Sequence, residues 1–403
     1  MRIGLLVMLE PVGAGVPMSR AFLRVSGKSV ARHQLELALA VECQKIVCLA
    51  HGVTGDVIDL QRDAENAGAG FHVVQGARGL IGQVTASDDL IVLSDGVLPD
   101  IAEGRRFVEA GHGVAGQAIE EGLALGFERI DLNHATAGIM RIPGRMVERL
   151  AELPADCDVV SALTRISLQG GMAIRPITAV SGTGPAWRII RDDDEAHRAE
   201  DAWIAGRLDS WKTPVPGLLL ARSGLFAFGP ALLHRGHGGR TVMALAMLLL
   251  ALALGCGWYG FTGFSLVLAG VAWVMVKGAG VLRGIEQSAG SGAHVQLMAE
   301  TWLLAAVDAV MIVILVWQAP QLPGENRVDR AFAPVMLLGL LRLLPAMLSA
   351  RGAAWLADRA VLAAVLCLLS ALGVLGGGVP LLAICLLLGG IVLARPQSRL
   401  TTD

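Results

Sequence analysis

Two separate stretches of this chain carry side chains that could handle a phosphate or a divalent cation. One is Ser94-Asp95-Gly96, directly after the apolar run Leu90 to Leu93. A carboxylate at a strand end can hold a metal ion that bridges nucleotide phosphates, although an aspartate before a glycine equally suits an ordinary turn. The other stretch is a polar island, KGAGVLRGIEQSAGSGAHVQLMAE, running from Lys277 to Glu300 inside a C-terminal half otherwise made of Leu, Ala, Val and Gly. Gln296 and Glu300 are four apart and share one helix face, with Asp308 two further turns along. Ionisable groups at a membrane edge are costly and point to function. A carboxylate simply paired with Arg283 or Lys277 is the competing reading of Glu300.

The elements that must position Asp95 follow from hydrophobic period. Short β-rich runs at 3–9, 45–50, 71–74, 90–93 and 114–118 alternate with helical spacing at 29–41 and 54–67, and a last helix is expected at 193–208. This alternation predicts a mainly parallel sheet covered on both faces, an α/β sandwich, over residues 1–200. Ligands of such sheets bind at the carboxyl ends of the strands. Asp95 belongs there, as does the loop Glu10 to Met18, where Gly13 and Gly15 could let backbone N–H groups approach a phosphate. Asp131 and His134 could face the same cleft or stand in a solvated loop, and the acidic run Asp192 to Glu195 reads as a helix start.

Charged residues recur every few positions up to Arg240 and then give way to Leu-rich runs until Ala394, so one part of the chain belongs in lipid. Apolar runs at about 241–258, 261–276, 297–317, 332–348, 361–376 and 379–393 predict an all-α domain of six spans over 241–403. Lys277, Arg283, Arg351, Arg359, Arg395 and Arg399 fall in links on one side. By the positive-inside rule that side is the cytoplasm, and both termini lie there, at the inner (cytoplasmic) membrane. Between the halves, residues 201–240 mix Trp203, Trp211, Lys212, Arg222, Phe226 and Phe228 with apolar residues. That mixture suits the headgroup level of a bilayer, and a buried interdomain helix is the alternative.

Composition narrows the partners. The 403 residues are 54% hydrophobic and 17% charged with a formal net charge of −2, so no basic excess points to a nucleic acid. The six cysteines lack CxxC spacing and read as buried thiols. The apolar run in MRIGLLVMLEPVG is short for a signal peptide and reads as a first strand, which leaves the first domain in the cytoplasm.

Both halves resemble known families. LVMLEPVGAGVPM, SRAFLRVSGKSVARHQLELALAVECQKIVCLA and LIVLSDG resemble, in order, the glycine-rich start, the PKxLLPVxGKPLL segment and the metal-binding strand end of sugar-phosphate nucleotidyltransferases, whose fold many glycosyltransferases share. The resemblance implies a nucleotide site at Gly13, Gly15, Arg20, Gly27 and Asp95, with Asp95 holding Mg²⁺ or Mn²⁺. Two positions depart: the family's loop arginine falls on Pro17 and its phosphate-binding lysine on Arg20.

Arg283, Gly292, Gln296 and Glu300 have the spacing of the signature D-x2-D-G-x2-A-R-x8-G-x3-D-x3-D of CDP-alcohol phosphotransferases, six-span membrane enzymes. That resemblance implies Arg283, Gln296 and Glu300 as catalytic residues and Glu300 as a metal ligand. The first two aspartates of the signature fall on Met275 and Gly278, so the implied metal chemistry is altered or degraded. The pairing of the two domains is similar to fusion enzymes of phospho-polyol and phospholipid synthesis. Three functions stay open: an active transferase in which Glu300 and Asp308, with Asp358 as a further candidate, make an altered metal site; a catalytically inactive partner of an active synthase; and a membrane-anchored nucleotidyl- or glycosyltransferase working in its soluble domain through Asp95. The partners expected are a CDP-alcohol or other nucleotide-type small molecule, the bilayer, and a second copy or an active synthase.

Overall fold

The structure is a computed structural model that describes residues 1–13, 18–154, 157–177, 185–208, 215–233, 238–286, 293–319, 327–348 and 350–394. The chain forms two compact units, Met1–Arg207 and Leu208–Asp403.

The first unit is built on a seven-stranded sheet. Its strands are β1 (Arg2–Met8), β2 (Lys45–Ala50), β3 (Gly70–Val74), β4 (Asp89–Leu93), β5 (Gly113–Ala118), β6 (His134–Pro143) and β7 (Ile174–Pro176), in the spatial order β7-β5-β6-β4-β1-β2-β3. All neighbours run parallel except β6, which lies antiparallel between β4 and β5. After their first residues, β1, β2 and β4 carry no polar side chain because both sheet faces are covered. Along β1, Ile3, Leu5 and Val7 enter one core while Leu6 and Met8 enter the other, and β2 and β4 divide in the same way.

Helices α1 (Val30–Ala40), α2 (Gly55–Asn66) and α3 (Ile101–Glu109) cover one face through Leu35, Leu60 and Phe107. Helix α4 (Val159–Gln169) covers the other through Val159, Leu163 and Ile166. Each starts on a side-chain cap of about 1 kcal/mol: Ser29, Thr54, Asp100 and Asp158 accept an N–H of their own first turn. Helix α5 (Asp193–Leu208) begins at the acidic run, as its charges require.

The expected α/β sandwich is therefore present, with its strands and helices close to where period placed them. Strands β6 and β7 and helices α3 and α4 are additions. His134 opens β6, and its ring meets the Asp131 carboxylate at 3.0 Å at the exposed start of that strand. Trp203 departs from the headgroup-level expectation: it is 2% exposed, packed edge-on against His33 at 5.8 Å within this unit. Of the six thiols only Cys43 and Cys48 are buried, and Cys385 is exposed.

The second unit is helical among its described residues: α6 (Pro216–Leu233), α7 (Gly238–Trp258), α8 (Thr262–Glu286), α9 (Ala293–Gln318), α10 (Arg327–Leu343), α11 (Ala350–Ala357), α12 (Arg359–Ala371) and α13 (Leu375–Ala394). All six apolar runs lie in helices. Only four of these, at Gly238–Trp258, Thr262–Glu286, Met298–Gln318 and Leu375–Val392, are long and apolar enough to cross a bilayer. Among the described residues four of the six expected spans meet that length, while α10 has 17 residues and α12 has 13, against about 20 for a perpendicular crossing. Helix α8 is the most buried of the four. Small residues bring its neighbours close, as at Gly270, whose Cα faces Ala363 of α12 with no room for a side chain.

Candidate functional site

Asp95 follows the carboxyl end of β4 in a turn held from below by α1. Gln34, fully buried, donates through Nε2 to the carbonyls of Ser94 and Val97, both at 2.8 Å. The turn needs Gly96, whose φ of +70° is left-handed. A Cβ there would also stand 2.8 Å from the Ile190 carbonyl and 2.9 Å from Arg20 Nε. Asp95 is 4% exposed, and its Oδ2 accepts the Glu10 N–H at 2.7 Å.

Arg20 reaches the same carboxylate because the loop closes on itself, with Arg20 N–H donating to the Glu10 carbonyl at 2.9 Å and Val12 N–H to Met18 O at 3.0 Å. Arg20 Nε stands 3.4 Å from Asp95 Oδ1, close enough for charge pairing, yet neither atom makes a hydrogen bond. Burial pushes the Asp95 carboxyl up to about 6, against the opposing pull of the Glu10 N–H and the Arg20 guanidinium.

Around this pair opens a cleft of about 540 Å³, lined on its charged side by Glu10, Arg20, Asp95, Arg129, Asp158 and Arg165. Its size suits a small nucleotide or phosphosugar. Of the nucleotide residues expected from sequence, Arg20 and Asp95 meet here. Gly13 has open space around it and nothing that demands a glycine. Gly15 lies outside the described residues. Gly27 is spent on a hairpin turn between Arg24–Val25 and Lys28–Ser29, where Ser26 and Gly27 take φ of 53° and 81°. Sequence reasoning missed Glu10 and Gln34; the signal for Gln34 was an amide on the apolar face of α1.

A resident Mg²⁺ or Mn²⁺ does not fit the first site. Hard divalent cations gather several carboxylate oxygens, whereas one Asp95 oxygen takes a backbone N–H and the other faces a guanidinium. Among the described residues there is no group of three or more His, Cys, Asp or Glu placed to hold a metal ion.

The carboxylates of the helical unit are engaged in the same way. Glu300 on α9 accepts from Lys277 Nζ of α8 at 3.0 Å, the ion-pair alternative anticipated from sequence. Arg283 packs against Gly239 at the start of α7, and Glu286 accepts the Gly239 N–H at 3.0 Å. Gln296 lies on α9 with its side chain outside the described residues, as does Gly292 altogether. Asp308 is clamped by two arginines: Arg342 Nε donates to Oδ2 at 2.6 Å, and Arg359 Nε to Oδ1 at 2.8 Å. Asp358 caps α12 through the Ala360 and Val361 N–H groups and also accepts the Gly217 N–H at the start of α6, at 2.7 Å. Neither aspartate is available as the altered metal ligand considered from sequence.

No protein-family model matches the chain, and no curated protein matches it. Several solved structures resemble its N-terminal half. A structure described as a glucose-1-phosphate thymidylyltransferase from Bacillus anthracis, in complex with a sucrose, shares 15% identity over 50% of this chain and 95% of its own, with a TM-score of 0.40. A UDP-glucose pyrophosphorylase complexed with UDP-glucose shares 10% over 51% and 99%, with a TM-score of 0.36. The UDP-glucose pyrophosphorylase from Acinetobacter baumanii shares 11% over 52% and 94%, with a TM-score of 0.37.

Proposed function

We propose that this chain is a membrane-embedded relative of the fused nucleotidyltransferase and CDP-alcohol phosphotransferase proteins that binds a nucleotide-type small molecule without turning it over. In this reading it serves as a structural or regulatory partner of an active synthase of phospholipid or phospho-polyol synthesis, at the cytoplasmic membrane with both termini inside. One observation carries it: each of the four carboxylates that the sequence singled out as a metal ligand, Asp95, Glu300, Asp308 and Asp358, is engaged by the protein itself. Asp95 is held by Glu10 N–H and Arg20, Glu300 by Lys277, Asp308 by two arginines and Asp358 by helix N-termini. Two-metal phosphoryl transfer requires those oxygens free. Arg20, already in the cleft, supplies a fixed positive charge for a phosphate.

Calorimetry of the purified full chain with CTP and with a CDP-alcohol tests this. Binding is expected in EDTA and unchanged by added Mg²⁺, reduced about tenfold by Arg20→Ala, and accompanied by no turnover and by co-purification with an active synthase. Mg²⁺- or Mn²⁺-dependent turnover abolished by Glu300→Ala would overturn it. The volume of the Asp95 cleft favours a second reading, a membrane-anchored transferase working only through the first unit. Its signature is metal-dependent turnover lost in Asp95→Asn and indifferent to Glu300→Ala.

A further inference from the structure

The charges in the helical unit do not balance around Asp308. Two guanidiniums meet one carboxylate, and the residue left over is Arg342, whose side chain is 48% exposed while that of Arg359 is 7% exposed. Asp358, beside Arg359 in sequence, does not cancel the excess. Its carboxylate takes three backbone N–H groups at the starts of α6 and α12, where each helix dipole brings about half a positive charge. The cluster is therefore left with one net positive charge. Arg342 spends its Nε on Asp308, and its two terminal nitrogens make no hydrogen bond among the described residues.

Arg342 stands in the last turn of α10, where a long cationic side chain can snorkel toward headgroups. Two residues further along the chain, Leu344 begins the lining of an apolar groove of about 180 Å³ whose walls include Leu348, Leu356, Leu386, Gly389 and Gly390. A hydrogen bond ties the charge cluster to that lining: Arg359 Nη1 donates to the Leu356 carbonyl at 2.9 Å.

We infer that Arg342 and this groove bind an anionic phospholipid, its phosphate on the free guanidinium nitrogens and one acyl chain in the groove. The chemistry follows from the surroundings. An uncompensated guanidinium bordering hydrocarbon needs a counter-anion, and an anion that also fills an apolar groove is a lipid. The inference rests on reading the helical unit as membrane-embedded and is independent of nucleotide binding in the other unit.

The test is native mass spectrometry of the delipidated full chain in zwitterionic detergent, titrated with phosphatidylglycerol or phosphatidylcholine of identical acyl chains. The wild type is expected to retain phosphatidylglycerol about tenfold better, the return on one charge-assisted contact. Arg342→Gln should bring the two lipids to parity, because it leaves Asp308 and Arg359 as a neutral pair, whereas Arg342→Lys should keep most of the preference. Gly389→Phe, built into open space in the groove, should weaken retention of both lipids and preserve their ratio. Equal retention by the wild type, or a preference that survives Arg342→Gln, overturns the inference. If Arg342→Gln does not fold, Gly389→Phe decides, and retention unchanged by it is also fatal. Partition of the full chain into the aqueous phase on detergent phase separation would instead sink the membrane reading itself. Absence of CTP binding in calorimetry would leave the lipid result standing.

Discussion

Asp95→Asn isolates the electrostatics of the candidate cleft. The folded Asp95 carboxyl sits at about 6, against 3.8 in the unfolded chain, because burial outweighs the Glu10 N–H and the Arg20 charge. Since the folded state holds this proton more tightly, protonation stabilises the fold below pH 6, and that stability is lost as pH rises through the folded value. The full amplitude is roughly 3 kcal/mol, of which roughly 1 kcal/mol falls between pH 5 and pH 7. His33 titrates nearby with the opposite sign: burial lowers its pKa, so its contribution is lost as pH falls. Asp88 and Asp89 are held below the usual carboxylate value and stay ionised throughout this window.

The wild type alone therefore gives a mixed slope, and the difference between wild type and Asp95→Asn is the informative quantity. An asparagine still accepts the Glu10 N–H, and its amide facing Arg20 adds a penalty that does not change with pH. Hydrogen exchange of peptides covering residues 89–98, corrected for intrinsic rates, reads the local opening free energy. The variant should gain roughly 1 kcal/mol on the wild type from pH 5 to pH 7. A stability difference between wild type and variant that stays constant, or a wild-type advantage that grows with rising pH, would show that desolvation does not dominate Asp95 and would refute the reasoning.

Three further changes have sharp expectations. Gln34→Ala removes both donors that hold the 94–97 turn and leaves two buried carbonyls, so the first unit should lose about 2 kcal/mol in denaturant unfolding. Gly96→Ala places a methyl against the Ile190 carbonyl at a left-handed φ, and should cost about as much while displacing Arg20, read as loss of CTP binding in calorimetry. Asp308→Asn leaves two guanidiniums without their shared anion, and the midpoint of thermal unfolding in detergent should fall by an amount corresponding to about 3 kcal/mol. Arg359→Gln added to it should recover part of that loss, and a strictly additive double variant would argue against the clamp.

Much of the first unit was legible because it depends on local period. The run Leu5, Leu6, Val7 and the run Leu90 to Leu93 are apolar at every position, as strands covered on both faces must be, and Asp95 follows one of them at the strand end where ligands bind. Strand β6 was harder to see. Its first half, HATAG, is small and polar, and it is a strand because β4 and β5 flank it, with Leu93 beside Ile139 and Val114 beside Met140. The apolar runs of the second half likewise announced helices. Whether each is a span depended on where its ends fell, and α10 and α12 stop short.

The chemistry of the charged residues divides along the same line. Spacing between near neighbours was enough to place Asp95 at the end of a buried strand and Glu300 and Asp308 on one apolar helix. What those carboxylates do was set by the tertiary structure. It brought Arg20 to Asp95 across 75 residues of chain, Lys277 to Glu300, and Arg342 and Arg359 to Asp308 from two other helices. A carboxylate's role depends on which cation reaches it first, and that is settled by long-range packing, to which local spacing is blind.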